Sequence, residues 1–455
     1  MIDSTPAPAS VRAETPSAEL VRALLYAVAT LLALVGIFLL FHRSNIPWLF
    51  YYSKPYVLLL ATYFAIVAVV VLAGRFANAA LASALRRPAI RGMVMVGVSL
   101  VMAIALAEVT LAILPVRLWH PNANHREGAI FARPDRELHH IRPADTTSTI
   151  VSPYGEYHAE VRINSDSLRD IERPLAKPPG TYRVLILGDS LTEAEQVPLE
   201  ETFVKRLEHE LTQSRGQAVD VINAGVAAAS PMTEYLMLIH KGIKYQPDLV
   251  VCAYSLIGVG QDWQYRDQLT FDAQGLPVER SQVSRGIGSD VFYALYAYSR
   301  VMQMVAENYI RARRPVAADD LMVSIFDDTD TPLEEEAWGA TLHTIAAMKQ
   351  YSEAHGAKFL LMAIPFATQV YPDAQIGKER QVVLPDTVRT SHRPQQRLAE
   401  FSRVNGIAYL DVLPDLQAAR HDAPFFFQHD THLTSAGHQA IADALARFLG
   451  GGEDR

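Results

Sequence analysis

A serine stands at the point where an apolar strand ends. The run Arg183–Gly188 (RVLILG) predicts a buried β-strand, and Asp189 and Ser190 follow it directly. The hydroxyl of Ser190 is therefore expected at the edge of a sheet, where the chain turns toward a helix. Since a serine hydroxyl is a weak nucleophile until a base removes its proton, this site needs a histidine nearby.

The far end of the chain supplies a histidine and a carboxylate two residues apart. His432 precedes the predicted final helix, and Asp430 stands in the same loop, within FFFQHDTHLTSAGH. A loop that carries both can direct the imidazole at Ser190 while Asp430 holds its other ring nitrogen. We therefore predict nucleophilic catalysis by Ser190, His432 and Asp430. Two plainer interpretations stay open: Asp430 caps the final helix region, or His432 is a structural histidine.

A tetrahedral intermediate also requires hydrogen-bond donors for its oxyanion. The second predicted strand ends in Asn223-Ala224-Gly225, where a glycine lets a backbone N–H approach a substrate closely. The third predicted strand leads into the loop Ser255–Asp262, in which the amide side chain of Gln261 is a second candidate donor.

Short apolar strands alternate with helical stretches from Thr181 onward, which predicts parallel βαβ units with helices on both faces of the sheet. The predicted strands are Arg183–Gly188, Val219–Asn223, Asp248–Tyr254, Lys358–Ile364 and Ile407–Asp411. The predicted helices cover residues 199–213, 232–242, 335–354, 393–404 and 435–449. In open α/β sheets of this kind, sites lie at the carboxyl ends of the strands, where Ser190 is placed.

Three long apolar runs precede this pattern: Ala23–Phe41, Pro55–Gly74 and Gly92–Val116, of 19, 20 and 25 residues. Each reaches the roughly 20 residues that a helix needs to cross a bilayer, so we predict three transmembrane helices. Glu108, the one ionisable residue of the third run, is expected to reach interfacial water, or else to face a polar pathway. Six basic residues in the amino terminus and second loop, against two in the first loop, place the amino terminus in the cytoplasm and everything after Val116 outside.

The sequence predicts three parts: a membrane domain (1–116), a stalk with a small β element (117–180) and an α/β domain (181–455). In the stalk, the alternation in Tyr157–Asn164 predicts a strand. An interval at about 263–334 breaks the rhythm of strands and helices and is interpreted as an inserted subdomain or lid. Its amphipathic run, Val291–Ala312, is expected to pack against the outer domain rather than to contact the membrane again.

Composition excludes several classes of function. The net charge of −8 argues against a nucleic-acid-binding protein, which needs a basic face. A single cysteine, Cys252, excludes an intramolecular disulfide and a cysteine-based zinc site, and its apolar strand places it in the core. Three histidines lie close together near residue 430, but no second cluster of ligands accompanies them, so no metal and no cofactor are predicted. We interpret the pair His139-His140 as solvated.

These motifs resemble those of the SGNH (GDSL) hydrolase superfamily, over roughly residues 150–455. The first motif matches as Gly188-Asp189-Ser190-Leu191, the second as Asn223-Ala224-Gly225 and the last as Asp430-Thr431-His432. The stretch Asn164–Glu172 is also similar to the hairpin that precedes this domain in many bacterial members. The resemblance implies a flavodoxin-like three-layer fold with a parallel sheet.

The resemblance further implies the part that each residue plays. Ser190 is the nucleophile, His432 its base and Asp430 the partner of His432, while the N–H groups of Ser190 and Gly225 bind the oxyanion. Together with the expected placement outside, it predicts a membrane-anchored, extracytoplasmic serine esterase in the inner (cytoplasmic) membrane of a bacterium. The enzyme is expected to act through an acyl-serine intermediate on an acylated envelope glycan or lipid.

The third motif departs from the family pattern. The family usually has Gly-Asn-Asp, with the asparagine side chain as a third oxyanion donor, whereas this chain has Gly260-Gln261-Asp262. Gln261 can serve with one more methylene of reach, but the alternative register places Val259, which donates nothing, at that position. Loss of one oxyanion donor costs on the order of 10²–10³ in rate.

Two alternative functions stay open. The acyl group can pass to a sugar hydroxyl instead of water, which makes the protein an O-acyltransferase for a cell-surface or exported polysaccharide. Three spans are too few to carry an acyl donor across the membrane, so transfer would imply a membrane partner that supplies the acyl group. From a different class, the outer domain can be a non-catalytic module for glycan binding or assembly.

Overall fold

The computed structural model describes residues 87–113, 132–152, 154–281, 330–372, 386–420 and 423–451, together with residue 29 and parts of 299–305 and 321–328. The chain divides into two compact units. The first comprises Met1–Pro115 and Arg285–Tyr309, and the second Val116–Ser284 and Ile310–Arg455. All of the candidate site residues lie in the second unit.

The described part of the first unit contains a long helix, α1 (Pro88–Ile113), at the position of the third predicted span. Within the described residues, no helix has both the length and the apolar character that crossing a bilayer requires. The first two predicted spans, Ala23–Phe41 and Pro55–Gly74, lie outside the described residues.

Glu108 of α1 is buried, contrary to the expectation that it reaches interfacial water. Its carboxylate accepts hydrogen bonds from the hydroxyl of Ser299 and from the N–H of Val301. Both donors belong to the inserted interval, and Arg285–Tyr309 falls in the first unit as a whole. Most of Val291–Ala312 lies outside the described residues, so its predicted packing against the outer domain stays a prediction.

The second unit contains strands throughout its described length. They are β1 (Arg133–Asp135), β2 (His139–Ile141), β3 (Thr146–Val151), β4 (His158–Ile163), β5 (Tyr182–Gly188), β6 (Val219–Gly225), β7 (Leu249–Ser255), β8 (Leu269–Phe271), β9 (Pro277–Arg280), β10 (Lys358–Ile364) and β11 (Ala408–Asp411). Three antiparallel pairs, β1-β2, β3-β4 and β8-β9, stand apart from the main sheet. The first two precede the sheet in sequence, and we call residues 132–163 the hairpin segment.

The main sheet has five parallel strands in the order β11-β10-β7-β5-β6. Its strands are buried almost without interruption, as is typical of a parallel sheet covered on both faces. The predicted α/β domain with a parallel sheet is confirmed. Strand β6 runs two residues further than predicted, because Ala224 and Gly225 pair with Leu187 and Gly188 of β5.

Helices follow most strands of this sheet. In chain order they are α2 (Ser190–Glu193), α3 (Phe203–Arg215), α4 (Pro231–His240), α5 (Gly258–Tyr265), α6 (Pro332–Ala354), α7 (Ala367–Val370), α8 (Asp386–Thr390), α9 (Arg393–Asn405), α10 (Leu413–Ala419) and α11 (Ser435–Gly450). Threonines begin several of them, since a hydroxyl can accept a free N–H of the first turn. Thr202 caps α3, Thr434 caps α11, and Thr331 forms a capping box with Glu334 at the start of α6.

Alternate residues of each central strand enter opposite cores. Leu185 and Leu187 of β5 pack on the side of α4 and α6, whereas Val184 and Ile186 pack on the side of α3 and α11. Cys252 of β7 is fully buried, as predicted. The result is three layers, with the sheet between two layers of helices, and it holds the carboxyl ends of the strands at one edge.

His438 of α11 is buried as a neutral imidazole. Only 1% of the residue is exposed, and its Nδ1 accepts the N–H of Phe203 at 3.3 Å. Burial lowers the pKa of His438 to about 3, with a further contribution from the positive charges of Arg169 and Arg206. Protonation of Nδ1 would therefore both charge a buried group and break its hydrogen bond.

The pKa of His438 predicts that stability falls in mild acid. The folded-state pKa lies below the usual value of 6.5, so the unfolded chain binds the proton first and stability is lost as the pH falls from about 6.5 toward 3. At pH 5 this single group costs about 2 kcal/mol. The replacement His438→Asn keeps an acceptor but cannot titrate, so it should reduce the difference in unfolding free energy between pH 7.5 and pH 5 by that amount. Chemical unfolding followed by tryptophan fluorescence measures it. The exposed His209→Asn is the control, and an unchanged pH dependence in His438→Asn would contradict the assignment.

Candidate active site

Ser190 lies in the tight turn that follows β5. It is the first residue of α2, and Asp189 caps this short helix by accepting the N–H of Leu191 on Oδ1 at 2.9 Å. Burial raises the pKa of Asp189 to about 6. Gly188 makes the turn sterically feasible, because a Cβ there would lie 2.2 Å from Oγ1 of Thr192. The predicted position of Ser190 at the end of a strand is thus the observed one.

The structure brings Ser190, His432 and Asp430 together as predicted. Nε2 of His432 lies 2.8 Å from Oγ of Ser190, and Nδ1 of His432 is hydrogen-bonded to Oδ1 of Asp430. A carboxylate at Nδ1 favours the tautomer that carries its proton there, which leaves Nε2 to accept the serine hydroxyl. The side chain of Asp430 is 2% exposed and that of His432 is 13% exposed, so the pair is largely shielded from water.

A strained backbone separates Asp430 from His432. Thr431 has a φ of 67°, in the left-handed region that residues with a Cβ rarely adopt. The loop is tied at both ends, since the N–H of Phe427 donates to the carbonyl of His432 at 2.9 Å and Phe426 forms a bridge with Leu433. These two backbone contacts, one on each side of the loop, hold Thr431 in its strained conformation.

Gly225 has a hydrogen-bond acceptor within its own motif. Its N–H donates to Oδ1 of Asn223 at 3.0 Å, within a buried environment, and is therefore already engaged. The glycine is required for packing instead: a Cβ on Gly225 would lie 2.5 Å from the N atom of Glu193 in α2. The prediction that this N–H binds an oxyanion stays a prediction, and the motif's own asparagine side chain is its acceptor in this structure.

The loop after Gly225 is held by side chains from three other elements. The N–H of Ala227 donates to Oε2 of Glu193 at 2.7 Å, its carbonyl is 3.0 Å from Nε2 of His140, and the carbonyl of Ala228 accepts Oη of Tyr265 at 3.0 Å. Ala228 has a φ of 63° and is exposed. Among the described residues, the N–H groups of Ala228 and Ser190 have no acceptor.

His139 is buried and His140 is only partly exposed, so the two are not a solvated pair. His139 is 4% exposed and its Nδ1 lies 2.8 Å from Nδ1 of His140. Burial lowers the pKa of His139 to about 3 and that of His140 to about 4. The sequence offered no sign of this, since two adjacent histidines in a polar stretch resemble a surface pair.

The third motif forms the first turns of α5, directly after β7. Asp262 has a structural part: it accepts the N–H of Met232 at 2.9 Å and the hydroxyl of Thr341 at 2.7 Å. Burial raises the pKa of Asp262 to about 6. Val259 is fully buried in the core, and Oε1 of Gln261 is buried without a hydrogen-bond partner among the described residues. The prediction that Gln261 is an oxyanion donor stays a prediction.

A buried ion pair supports the nucleophile turn, and sequence reasoning missed it. Arg142 of the hairpin segment makes two hydrogen bonds to the carboxylate of Glu193 in α2, at 2.6 and 2.8 Å. Arg169 donates to the carbonyls of Glu193 and Ala194 at 2.7 and 2.6 Å. Both arginines are buried. The sequence did offer one sign of this pair. Glu193 closely follows the GDSL motif, and a glutamate that is buried beside the nucleophile requires a positively charged partner.

A serine at a strand end, bonded to a histidine that an aspartate orients, defines the site of a serine acyl-transferring enzyme on a flavodoxin-like sheet. Comparison with known proteins gives the class. Residues 326–453, which include Asp430 and His432, match a family model described as SGNH hydrolase-like domain, acetyltransferase AlgX. This match shows an SGNH hydrolase-like domain in the carboxyl-terminal part of the chain, as the motifs predicted, and supports a serine esterase or a related acyltransferase.

Solved structures give weaker likenesses. An acetylxylan esterase from Geobacillus stearothermophilus is 12% identical, with a TM-score of 0.34 over 61% of this chain and 97% of that one. The acetyl xylan esterase AlAXEase is 15% identical, with a TM-score of 0.33 over 58% and 97% of the two chains. A GDSL-like lipase from Bacteroides thetaiotaomicron is 13% identical, with a TM-score of 0.31 over 59% and 88%. These scores are too low to carry an argument. No curated protein matches the sequence.

Proposed function

We propose that Ser190, His432 and Asp430 form a catalytic triad that takes an acyl group from an ester of a carbohydrate or lipid. The observation that carries this proposal is the contact of 2.8 Å between Oγ of Ser190 and Nε2 of His432. Nε2 accepts the hydroxyl proton as Oγ attacks the ester carbonyl, and Asp430 stabilises the imidazolium that forms. The proton then passes from Nε2 to the departing alcohol oxygen, which leaves an acyl-serine ester.

The second half of the reaction repeats these steps with an acceptor hydroxyl. The acceptor loses its proton to Nε2 of His432 and attacks the acyl-serine carbonyl, and Oγ of Ser190 regains the proton as it departs. With water as the acceptor the reaction is hydrolysis, which needs no further binding site. Hydrolysis of an acylated envelope glycan or lipid is therefore the first candidate function.

The two N–H groups without an acceptor are the proposed oxyanion donors. Ser190 offers its N–H at the start of α2, and Ala228 offers one from the loop beyond the neighbouring strand β6. The bonds from His140, Glu193 and Tyr265 fix that loop, so its N–H needs no rearrangement as charge develops on the oxygen. Ala228 is thus an additional candidate beside Gly225 and Gln261.

A serine-directed fluorophosphonate tests the triad. Wild type is expected to form a covalent adduct on Ser190, and Ser190→Ala is expected to lose both the adduct and ester turnover, with kcat lower by about 10⁶. The exposed Ser214→Ala is the matched control and should label as wild type does. Equal labelling of wild type and Ser190→Ala would overturn the catalytic proposal and leave a non-catalytic glycan-binding or assembly module.

Transfer to a sugar hydroxyl is the second candidate function. The matching family model is described as an acetyltransferase, which favours it. An oligosaccharide added to the ester assay separates the two: a transferase diverts acyl groups from water to the sugar, whereas a hydrolase releases free acid at an unchanged rate. Transfer would further require a membrane partner that presents the acyl donor on the outer side.

We also propose that three helices anchor the chain in a bacterial inner membrane, with the catalytic domain on the extracytoplasmic side. Support comes from the three apolar runs and from the basic residues of their loops. A reporter fused after Val116 should be active outside the cell membrane only, and activity in the cytoplasm would overturn this topology.

A further inference from the structure

The hairpin segment reaches the aspartate of the site. Oη of Tyr157 donates a hydrogen bond to Oδ2 of Asp430 at 2.6 Å, while Oδ1 of the same carboxylate is bonded to His432. Asp430 is 1% exposed, so water cannot take over either oxygen. Each carboxylate oxygen thus has a protein partner, and the two partners come from parts of the chain 275 residues apart (157 and 432).

Tyr157 is itself held firmly. It precedes β4 directly, its carbonyl accepts the N–H of Ser152 across the turn at 3.0 Å, and it is 8% exposed. Its ring packs with Ile150 and Val161 and lies 5.1 Å from the ring of Phe427, centroid to centroid. The hydroxyl therefore meets Asp430 at a position that the hairpin sets in advance.

The residue next to Tyr157 fixes the backbone of the same loop. The carboxylate of Glu156 accepts the N–H of His429 at 2.9 Å and the N–H of Asp430 at 3.0 Å, one on each oxygen. Two neighbouring side chains of one turn therefore hold both the main chain and the carboxylate of Asp430.

We propose that Tyr157 is a positioning residue of the acyl-serine reaction, which keeps the carboxylate of Asp430 turned toward Nδ1 of His432. The inference rests on the triad proposed above. Without the hydroxyl, Oδ2 of Asp430 loses the hydrogen bond from Tyr157, and the carboxylate can rotate to share Oδ1 and Oδ2 among its other donors. His432 is then held less often in the orientation that receives the proton of Ser190. Tyr157→Phe removes a hydrogen bond to the charged carboxylate of Asp430. This change is therefore expected to lower kcat by about 10-fold or more, with KM unchanged.

A double-mutant cycle in the full-length, membrane-inserted chain tests this. Tyr157→Phe should lower kcat in wild type but change it by less than about twofold in an Asp430→Ala background, where the carboxylate is gone. The matched control is Tyr245→Phe, which removes another tyrosine hydroxyl bonded to an aspartate, Asp166, within the same domain. Tyr245→Phe should leave kcat unchanged. An equal fractional loss from Tyr157→Phe in both backgrounds, or the same loss in Tyr245→Phe, would overturn the proposal.

Failure of this inference differs from failure of the triad. If Ser190→Ala is inactive while Tyr157→Phe has the kcat of wild type, the triad stands and the part of Tyr157 is disproved. If Ser190→Ala turns over ester as wild type does, the triad itself fails. Should Tyr157→Phe not fold, as judged by its thermal unfolding midpoint, Glu156→Gln replaces it in the same cycle. That change removes one of the two backbone acceptors, and a kcat that does not fall would likewise overturn the positioning role of this turn.

Discussion

Replacing His432 with alanine is expected to lower kcat for an ester substrate by about 10⁵ to 10⁶ while the protein remains folded. The reason lies in the short contact between Nε2 of His432 and Oγ of Ser190: once the imidazole is gone, no other described residue is hydrogen-bonded to Oγ to accept its proton. The loop that carries His432 is tied through the backbone of Phe427, which the substitution leaves intact.

The residues of the triad should also act as a unit. Single-turnover acylation by a chromogenic ester measures the chemical step directly, and the double variant Ser190→Ala/His432→Ala should be no slower than either single variant. The exposed His209→Ala serves as the control and should keep the rate of wild type. If His432→Ala retained more than a few per cent of the acylation rate, His432 would not be the base.

Breaking the ion pair between Arg142 and Glu193 is expected to lower the free energy of unfolding substantially. Both side chains are buried, with exposures of 6% and 0%, and Arg142→Met leaves the carboxylate of Glu193 without its bidentate partner. The loss of one partner of a buried pair costs about 3–5 kcal/mol. Because Glu193 also holds Ala227 and belongs to the helix that begins at Ser190, we expect the rate of serine labelling to fall as well.

Denaturant titration of the solubilised chain measures this loss. The control is Arg136→Met, which removes a partner of Glu279 from the same hairpin segment, but in a pair exposed to water. Exposed pairs contribute little, so this variant should unfold at the same denaturant concentration as wild type. Equal midpoints for Arg142→Met and wild type would mean that the pair does not stabilise the nucleophile turn.

The main sheet could be predicted because its strands are apolar along nearly their whole length. Runs such as RVLILG and KFLLMAI are apolar, six or seven residues long and flanked by helical stretches, which is typical of a buried strand. Strand β3, TTSTIV, was missed, because its polar residues resemble a loop until β4 pairs with it. Helix α3 begins later than predicted, since Leu199–Glu201 forms a 3-10 turn before the cap at Thr202.

The site was predictable for its side chains and not for its backbone groups. Ser190 at a strand end and the Asp-x-His loop each carry their chemistry in residue type and position. Whether an N–H such as that of Gly225 is available depends on which acceptor happens to face it, and that is a tertiary property. The same holds for Tyr157 and Arg142, whose partners are far away in sequence.

Residues ahead of the α/β domain must be transferred together with it if the site is to stay intact. A recombination event that moved only residues 181–455 into another protein would transfer the sheet and all three triad residues. It would leave behind Arg142, Tyr157 and Arg169, whose bonds end on the nucleophile turn and on the triad aspartate. Chimeras that exchange this domain with a relative's should therefore keep their function only when the crossover falls ahead of Arg142.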